Sequence, residues 1–475
     1  MVREYLKMTA VSFLLSASLM LAQTTNTITV KSRVSTSQVT SDADDAAVWM
    51  HPTDPSKSLI IGTDKGGSSN GGLFAWNLDG TQKQRISLNH PNNVDIRFGF
   101  KLGGQTVDLA AVSIRDSRQV RIFKIDSGSR KLSDVTTLDT TNVLNKTFES
   151  PYGLLMYKRP SDGSVFVIVS SRHTSFRDKL WQIRLEDDGI GRVKGVVVRK
   201  FGDYKNVVEG MVADDELGFF YASEERVGIH KYYADPLKGN ARLAFFATED
   251  SLVGNNEGLA LYKCTNGTGY LLVAHPETRS IKVYRREGEK GAPHQHRLLT
   301  RIKDDSSKAG DGLEVSSRAY SPIFPYGVMI WHDQAGRNFR LYAWEDVAKK
   351  ILSICDSGTT SVETDATGMS DPASGALALL QQNSPNPFNP ETEIRFVLKK
   401  APQGGAAPVW VKLTIYNLLG EEVRNLLNAP LTPGTYTVRW DAKDNKGLSA
   451  GSGIYFYQLR VPPSGIETRR MVLLR

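Results

Sequence analysis

SLIIGTD at residues 58–64 and GGLFAWNLDG at residues 71–80 are two short apolar runs, rich in β-branched and aromatic side chains, closed by glycine, asparagine and aspartate. Runs of this length and make-up, bounded by turn residues, read as strands. The pattern continues from about residue 28 to 345, through TVDLAAVSIRD, QVRIFKID, VFVIVSSR, KLWQIRLEDDG, GFFYASEE, VGIHKYY, GYLLVAHP and SIKVYRREG. Many of these pair as strand, tight turn, strand, and the pairs recur every few dozen residues with changing sequence. That rhythm fits the blades of a propeller better than a sandwich. No strict repeat signature is present, so periodicity does not give the number of blades. Apolar positions at helical spacing in WEDVAKKILSI (344–354) predict one helix closing the region. The fold class is therefore all-β.

The chain has 475 residues, more than one core usually covers, so two folded domains are expected. Its 40% hydrophobic content can fill cores, and its 41 glycines fit many tight turns. At the N-terminus a basic start, an apolar run from Met8 to Leu21 and the small residue Ala22 read as a secretory signal peptide over residues 1–22. The apolar run is shorter than the ~20 residues a spanning helix needs, and no other stretch is long enough to cross a bilayer. Residues 23–352 form the propeller, and 353–378 are small, polar and patterned as a linker. Residues 379–475 alternate strands with Asp-Asn and Gly turns, which describes a small immunoglobulin-like β-sandwich. Cys264 and Cys355 are the two cysteines; export would permit a bridge, but lone thiols are as often unpaired, and the residues leave both open. The net charge of +8 is moderate and its cations are scattered, which suits an anionic small molecule at least as well as nucleic acid. Nothing marks an assembly surface, so a monomer is expected.

SDADDAAVWMHP (41–52) sets Asp42, Asp44 and Asp45 against an apolar strand. Carboxylates clustered beside a buried strand are costly unless a cation sits there, and hard oxygen ligands in loops suit Ca²⁺. Comparable acidic lips recur: Asn93 and Asp95 in NNVDIR, Glu209 in VVEG, Asp214 and Asp215 in ADDE, Glu224 and Glu225 in SEER, Asn256 and Glu257 in NNEG, Asp311 and Glu314 in GDGLE, and Asp333 in HDQ. One at a time each reads as a turn former or a solvated loop; their repetition at strand ends points to a shared metal-binding mouth. Lys65 in GTDKGG, Arg97, Arg115 in VSIRDS, Arg172 in VSSRHT and Lys179 stand at similar places. Cations and metal-binding acids on one mouth are what holding and transferring a phosphate requires. A P-loop is missing, and metal-activated water is the economical attacker.

From Asp42 to Trp344 these residues carry a resemblance. DADDAAVW, NNVDIRFGF, VDLAAVSIR, YGLLMY, VEGMVADDELGFFYASEE, NEGLALY, DGLEV and FPYGVMIWHDQAGRNFRLYAWEDVA, in that order, resemble the β-propeller phytases. These are calcium-dependent phosphatases of myo-inositol hexakisphosphate that fold as six-bladed propellers. The resemblance implies several Ca²⁺ ions and their bound water on Asp45, Asn93, Asp95, Glu209, Asp214, Glu225, Glu257 and Asp311, and the acidic lips add Asp44, Asp215 and Asp333 as candidate metal ligands. It implies phosphate contacts and catalytic roles for Lys65, Arg97, Arg115, Tyr152, Arg172, Glu209 and Glu225, with a metal-bound water attacking phosphorus. The chain departs from the family at Arg172, where Lys is usual, and at Asn255, where Asp is usual. The loop SSKAGDGLE also lacks a family acid and carries Lys308. Weaker calcium binding or a shifted pH optimum is the expected result. SPNPFNP (384–390), IYNLLGEEV, GTYTVRWD, SGIYFYQL and the terminal MVLLR resemble the C-terminal sorting domains of type IX secretion cargo. That resemblance implies the secretion machinery as a partner and an extracellular or cell-surface location. The alternatives are a non-catalytic propeller that binds an anion or glycan, and a propeller lactonase, whose uncharged substrate predicts fewer cations at the mouth.

Overall fold

The computed structural model describes residues 27–67, 70–147, 150–173, 178–250, 252–265, 267–304, 309–320, 323–349, 351–355, 378–398, 408–417, 421–461 and 465–474. The expected signal peptide and almost all of the expected linker lie outside them. The chain divides into two compact units, Met1–Ser357 and Gly358–Arg475.

Among the described residues, the first unit contains six sheets, antiparallel but for one added N-terminal strand and here called blades 1 to 6, whose innermost strands are Ala43–Trp49, Pro91–Leu102, Pro151–Lys158, Val208–Asp214, Leu259–Lys263 and Ala309–Ser316. In each blade the chain steps outward strand by strand. Second strands such as Leu59–Asp64, Val165–Ser171 and Gly269–His275 are buried at every position. They are covered on both faces by neighbouring blades, which is why they read as continuous apolar runs rather than alternating ones. The interfaces form a closed series of cores. Trp49 and Ile61 meet Val94 and Val112; Leu109 and Ile122 meet Leu154 and Val167; Leu155 and Phe166 meet Val208 and Phe220. Tyr221 and Phe246 meet Leu259 and Val273, Ala260 and Val283 meet Leu313 and Trp331, and Val328 and Phe339 return to Val48 and Trp76. The last blade thus packs on the first, and the ring has six blades. Each fully buried Leu, Ile or Val contributes about 1.5–3 kcal/mol.

N-terminal strands lock the ring. Val34–Ser35 forms the outer strand of blade 6 against Asn338–Ala343, and Thr27–Thr29 adds a fifth, parallel strand to blade 5 beside Leu298–Lys303. The expected closing helix is shorter than its pattern suggested: Trp344–Ala348 is helical, and Lys349 ends it with φ +46°. A disulfide joins Cys264 to Cys355, 91 residues apart.

The second unit is a sandwich. One sheet contains Ala378–Leu380, Thr392–Leu398 and Gly434–Trp440; the other contains Glu422–Leu431, Val409–Tyr416, Gly453–Val461 and Gly465–Leu473. Thr392–Leu398 shows the period of two directly, with Thr392, Ile394, Phe396 and Leu398 buried and Glu393 and Arg395 exposed. Phe388 of the SPNPFNP motif is buried in this core and exchanges backbone hydrogen bonds with Val472 and Leu474 of the C-terminal strand. Among the described residues, no helix is long and apolar enough to cross a membrane.

Candidate active site

Five of the six innermost strands break register at the same place, their first turn of ladder. The irregularities fall between Ala43 and Ala46, Pro91 and Val94, Pro151 and Leu154, Val208 and Met211, and Ala309 and Leu313. Such a bulge re-aims the residues it contains. Here those are Asp44 and Asp45, Asn92 and Asn93, Tyr152, Glu209, and Asp311; in blade 5, Glu257 stands just before its strand. Glycine follows several of them because the next blade's backbone is too close for a Cβ. A Cβ on Gly153 would lie 2.1 Å from the Glu209 carbonyl oxygen, on Gly210 1.7 Å from that of Glu257, on Gly258 2.4 Å from that of Asp311, and on Gly312 1.9 Å from that of Asp44.

A second ring supports the first. The penultimate residue of the second strand donates a hydroxyl to the carbonyl of the next blade's mouth: Thr63 to Asn92 at 2.5 Å, Ser113 to Tyr152 at 2.6 Å, Ser170 to Val208 at 2.6 Å and Ser223 to Asn256 at 2.5 Å. Two residues further along come Lys65, Arg115, Arg172 and Glu225. The last residue of the strand can serve another purpose. Asp64 accepts the N–H groups of Ser41 and Asp42, and Glu224 those of Lys205 and Asn206, so both carboxylates pin the loops entering their own blades.

Asp44, Asp45, Asn93, Glu209 and Asp311 line one cavity, and oxygens of Glu209, Glu225 and Glu257 all lie within 4.8 Å of one another. The Lys65 ammonium is 2.8 Å from Asp44, 3.2 Å from Asp311 and 3.6 Å from Asp42. Asp45 accepts from the Asn93 amide at 3.0 Å and from Val94 N–H at 3.1 Å. Arg115 and Arg172 both stack on Tyr152, with their guanidinium carbons 5.8 and 5.3 Å from the ring centre, and the Arg115 Nε is buried without an acceptor. Burial, with Asp44 and Asp311 adding repulsion, pushes the Glu209 carboxyl up to about 7. Burial and then Glu209 raise Glu257, and burial followed by Glu209 raises the Tyr152 phenol. Asp44 Oδ2, Asn92 Oδ1, Asn255 Oδ1, Asn256 Oδ1 and Glu257 Oε2 are buried with no donor. Crowded carboxyls and donorless oxygens are what a hard cation relieves. The mouth is therefore divided, with cations on blades 1 to 3 and most of its acids on blades 4 to 6 and 1.

Other expected residues lie elsewhere. Asp95 and Arg97 stand two and four residues further along the strand than Asn93, beyond its register break. The Asp95 carboxylate is filled by Ile96 N–H, Met156 N–H and Arg97. Arg97 spends its donors on Asp95, Asp215, the Ile96 carbonyl and the Ala213 carbonyl, so it ties blade 2 to blade 4 rather than presenting a fork to phosphate. Asp215 is accordingly an ion-pair partner. Asp214 is wholly buried against Arg286, at 2.6 and 2.7 Å, and does not reach the mouth. Asp333 is engaged through Oδ2 by Arg340 at 2.7 Å. Lys179 donates to the carbonyls of Tyr204 and Asn206 in the interior. Lys308 lies outside the described residues. Two mouth residues escaped sequence reasoning. Asn92 donates to Glu209 at 3.0 Å, and His332 accepts the Asp311 N–H at 3.1 Å. The doubled asparagine of NNVD was a signal for the first; nothing local marked the second.

Comparison with known proteins accords with this geometry. A family model described as phytase matches residues 3–363. A 3-phytase from Bacillus subtilis (strain 168) is 31% identical over 325 residues, which is 66% of this chain and 82% of that protein. Among solved structures, PorZ, a surface component of the type-IX secretion system of Porphyromonas gingivalis, aligns at a TM-score of 0.34 and 14% identity. The alignment covers 90% of this chain and 51% of that one, so the chain spans about half its length; a likeness this faint carries no argument.

Proposed function

Because the chain belongs to the phytase family, and is thereby a phosphoric monoester hydrolase, we propose that it hydrolyses the phosphate esters of myo-inositol hexakisphosphate with the aid of several calcium ions. The observation that carries this reading is the divided mouth. Arg115 and Arg172 face a polyanion from one side, while Glu209, Glu225, Glu257, Asp311, Asp44 and Asp45 offer only oxygen from the other, with Lys65 held among the acids of blades 1 and 6. Those acids, with Asn93, would hold calcium. When bound, calcium supplies positive charge against the phosphate oxygens and makes water a better nucleophile.

The chain's own groups do the positioning. Arg115 and Arg172, held against the Tyr152 ring, orient phosphate through their forked donors. Lys65, anchored among three carboxylates, keeps the metal-free cup from tearing itself apart by repulsion. We further propose that the N-terminal leader and the C-terminal sandwich take the protein out of the cell by the type IX route. The test of activity is phosphate release from inositol hexakisphosphate in calcium, after chelation, and on restoring calcium. Release that is lost and regained is expected; release untouched by chelation overturns the calcium reading.

A further inference from the structure

Hydrolysis at this mouth leaves one proton unassigned. Breaking the P–O bond of an inositol phosphate expels an alkoxide, which needs a general acid to protonate it. The groups already placed in the mouth are poor sources. Arg115 and Arg172 carry guanidinium protons that proteins do not give up, Lys65 is held among three carboxylates, and the acids would hold calcium as carboxylates. The Tyr152 phenol is hydrogen-bonded to Glu209.

A histidine stands between Lys65 and Arg115. The His90 N–H donates to the carbonyl of Gly66, the residue after Lys65, at 3.1 Å, and the His90 carbonyl accepts the Arg115 N–H at 3.0 Å. Pro91, Asn92 and Asn93, the bulged start of blade 2, follow it directly. Its ring lies over the turn that carries Lys65, because a Cβ on Gly67 would be 2.8 Å from both Nε2 and Cε1. The His90 Nδ1 is 2.5 Å from Oδ2 of Asp116, the neighbour of Arg115, and the Asn89 amide holds the same oxygen at 3.2 Å. Among the described residues nothing bonds Nε2, and the His90 side chain is 37% exposed, so substrate and solvent both reach it. A carboxylate on Nδ1 fixes the tautomer, orients the ring and balances an imidazolium, which leaves the Nε2–H free to donate.

We propose that His90, oriented by Asp116, is the general acid of this hydrolysis. The water oxygen bonds to phosphorus as the ester P–O bond breaks. The electrons of that bond go to the inositol oxygen, which takes the Nε2 proton and leaves as a hydroxyl. The proton lost by the water passes to solvent, and solvent returns one to His90. This rests on the phosphatase reading above.

Steady-state kinetics of the full chain in calcium tests it, with wild type, His90→Asn and Asp116→Asn. The substrates are inositol hexakisphosphate and para-nitrophenyl phosphate, whose phenolate leaves without needing a proton. His90 has φ +50°, a conformation asparagine tolerates, so His90→Asn removes the acid and keeps the turn. On inositol hexakisphosphate its kcat should fall about 100-fold or more with KM held within about twofold, because the proton is given only in the transition state. On the aryl ester the loss should stay under about threefold. Asp116→Asn should show the same selectivity with a smaller loss. Equal losses on the two esters, or wild-type kcat of His90→Asn on inositol hexakisphosphate, overturn the proposal. If wild type turns the aryl ester over too slowly to follow, the split decides: a loss in kcat alone supports the assignment and a loss carried by KM overturns it. A folded wild type that releases phosphate from neither ester would instead overturn the phosphatase reading on which the proposal stands.

Discussion

Replacing Lys65 with methionine asks whether the mouth carries its own stand-in cation. The ammonium sits 2.8, 3.2 and 3.6 Å from Asp44, Asp311 and Asp42, and Asp44 is 2% exposed. Burial pushes the Asp44 carboxyl up and Lys65 opposes that push. Methionine keeps most of the stem and removes the charge. Breaking a buried pair from one side costs about 3–5 kcal/mol. Lys65 is 23% exposed, so the low end, about 3 kcal/mol, applies. For a unit of roughly 330 residues, with an unfolding entropy of about 2 cal/mol/K per residue, that lowers the melting temperature by about 4 °C. Calcium should then restore more in the variant than in wild type, because three carboxylates are left uncompensated for it to bind. The assay is thermal melting in chelator and again in calcium. A metal-free Lys65→Met protein melting within about 1 °C of wild type, with the same calcium-induced rise, refutes the reasoning.

Arg115→Ala should lower turnover on inositol hexakisphosphate by about 100-fold or more with melting unchanged, since the proposed function makes Arg115 a donor to the transferring group; steady-state kinetics beside a melting curve checks both halves. Burial, followed by Asp95, pushes the Glu314 carboxyl up to about 8 from its ordinary 4.5. The folded state therefore holds a proton there that the unfolded chain releases, and metal-free stability should fall as pH rises from about 4.5 to about 8. Glu314→Gln, which imitates the protonated acid, should flatten that fall in urea titrations across the range; an unchanged slope counts against it. The bridge between Cys264 and Cys355 closes 91 residues, and loss of it in a double serine variant should cost about 4–5 kcal/mol in denaturant unfolding. A cost under about 1 kcal/mol would mean that the unfolded chain is already constrained there.

Strand runs such as SLIIGTD and VFVIVSS were legible because blades cover both faces and leave an unbroken apolar signature. The blade count was legible only through the family resemblance and not in the repeat itself, because what repeats is sparse: one Ser or Thr hydroxyl, and glycines facing a neighbour's carbonyl, spaced by loops of unequal length. The acidic lips were legible as a set, yet ADDE misled. Asp214 answers to Arg286, 72 residues away, and no local pattern reveals so distant a partner. Arg97 misled differently. It lies four residues beyond Asn93, and at about 3.3 Å per residue it sits some 13 Å along the strand, where Asp95 and Asp215 claim it. Glu224 and Glu225 look alike in SEER; the strand's last residue turns back to hold two loop N–H groups, leaving its neighbour for the mouth.

The N-terminal straps impose a timetable. Val34–Ser35 cannot pair until Asn338–Ala343 exists, so the earliest strands of the ring must wait for nearly the latest. At ordinary synthesis rates roughly 300 residues take about 15–60 s, and throughout that interval the growing arc has edges that nothing covers. Closure of blade 6 is therefore a late event: Thr27–Thr29 can pair once Leu298–Lys303 has been made, and Val34–Ser35 only once Asn338–Ala343 has. A chain whose ring cannot close early stays threadable until its last blade has been made.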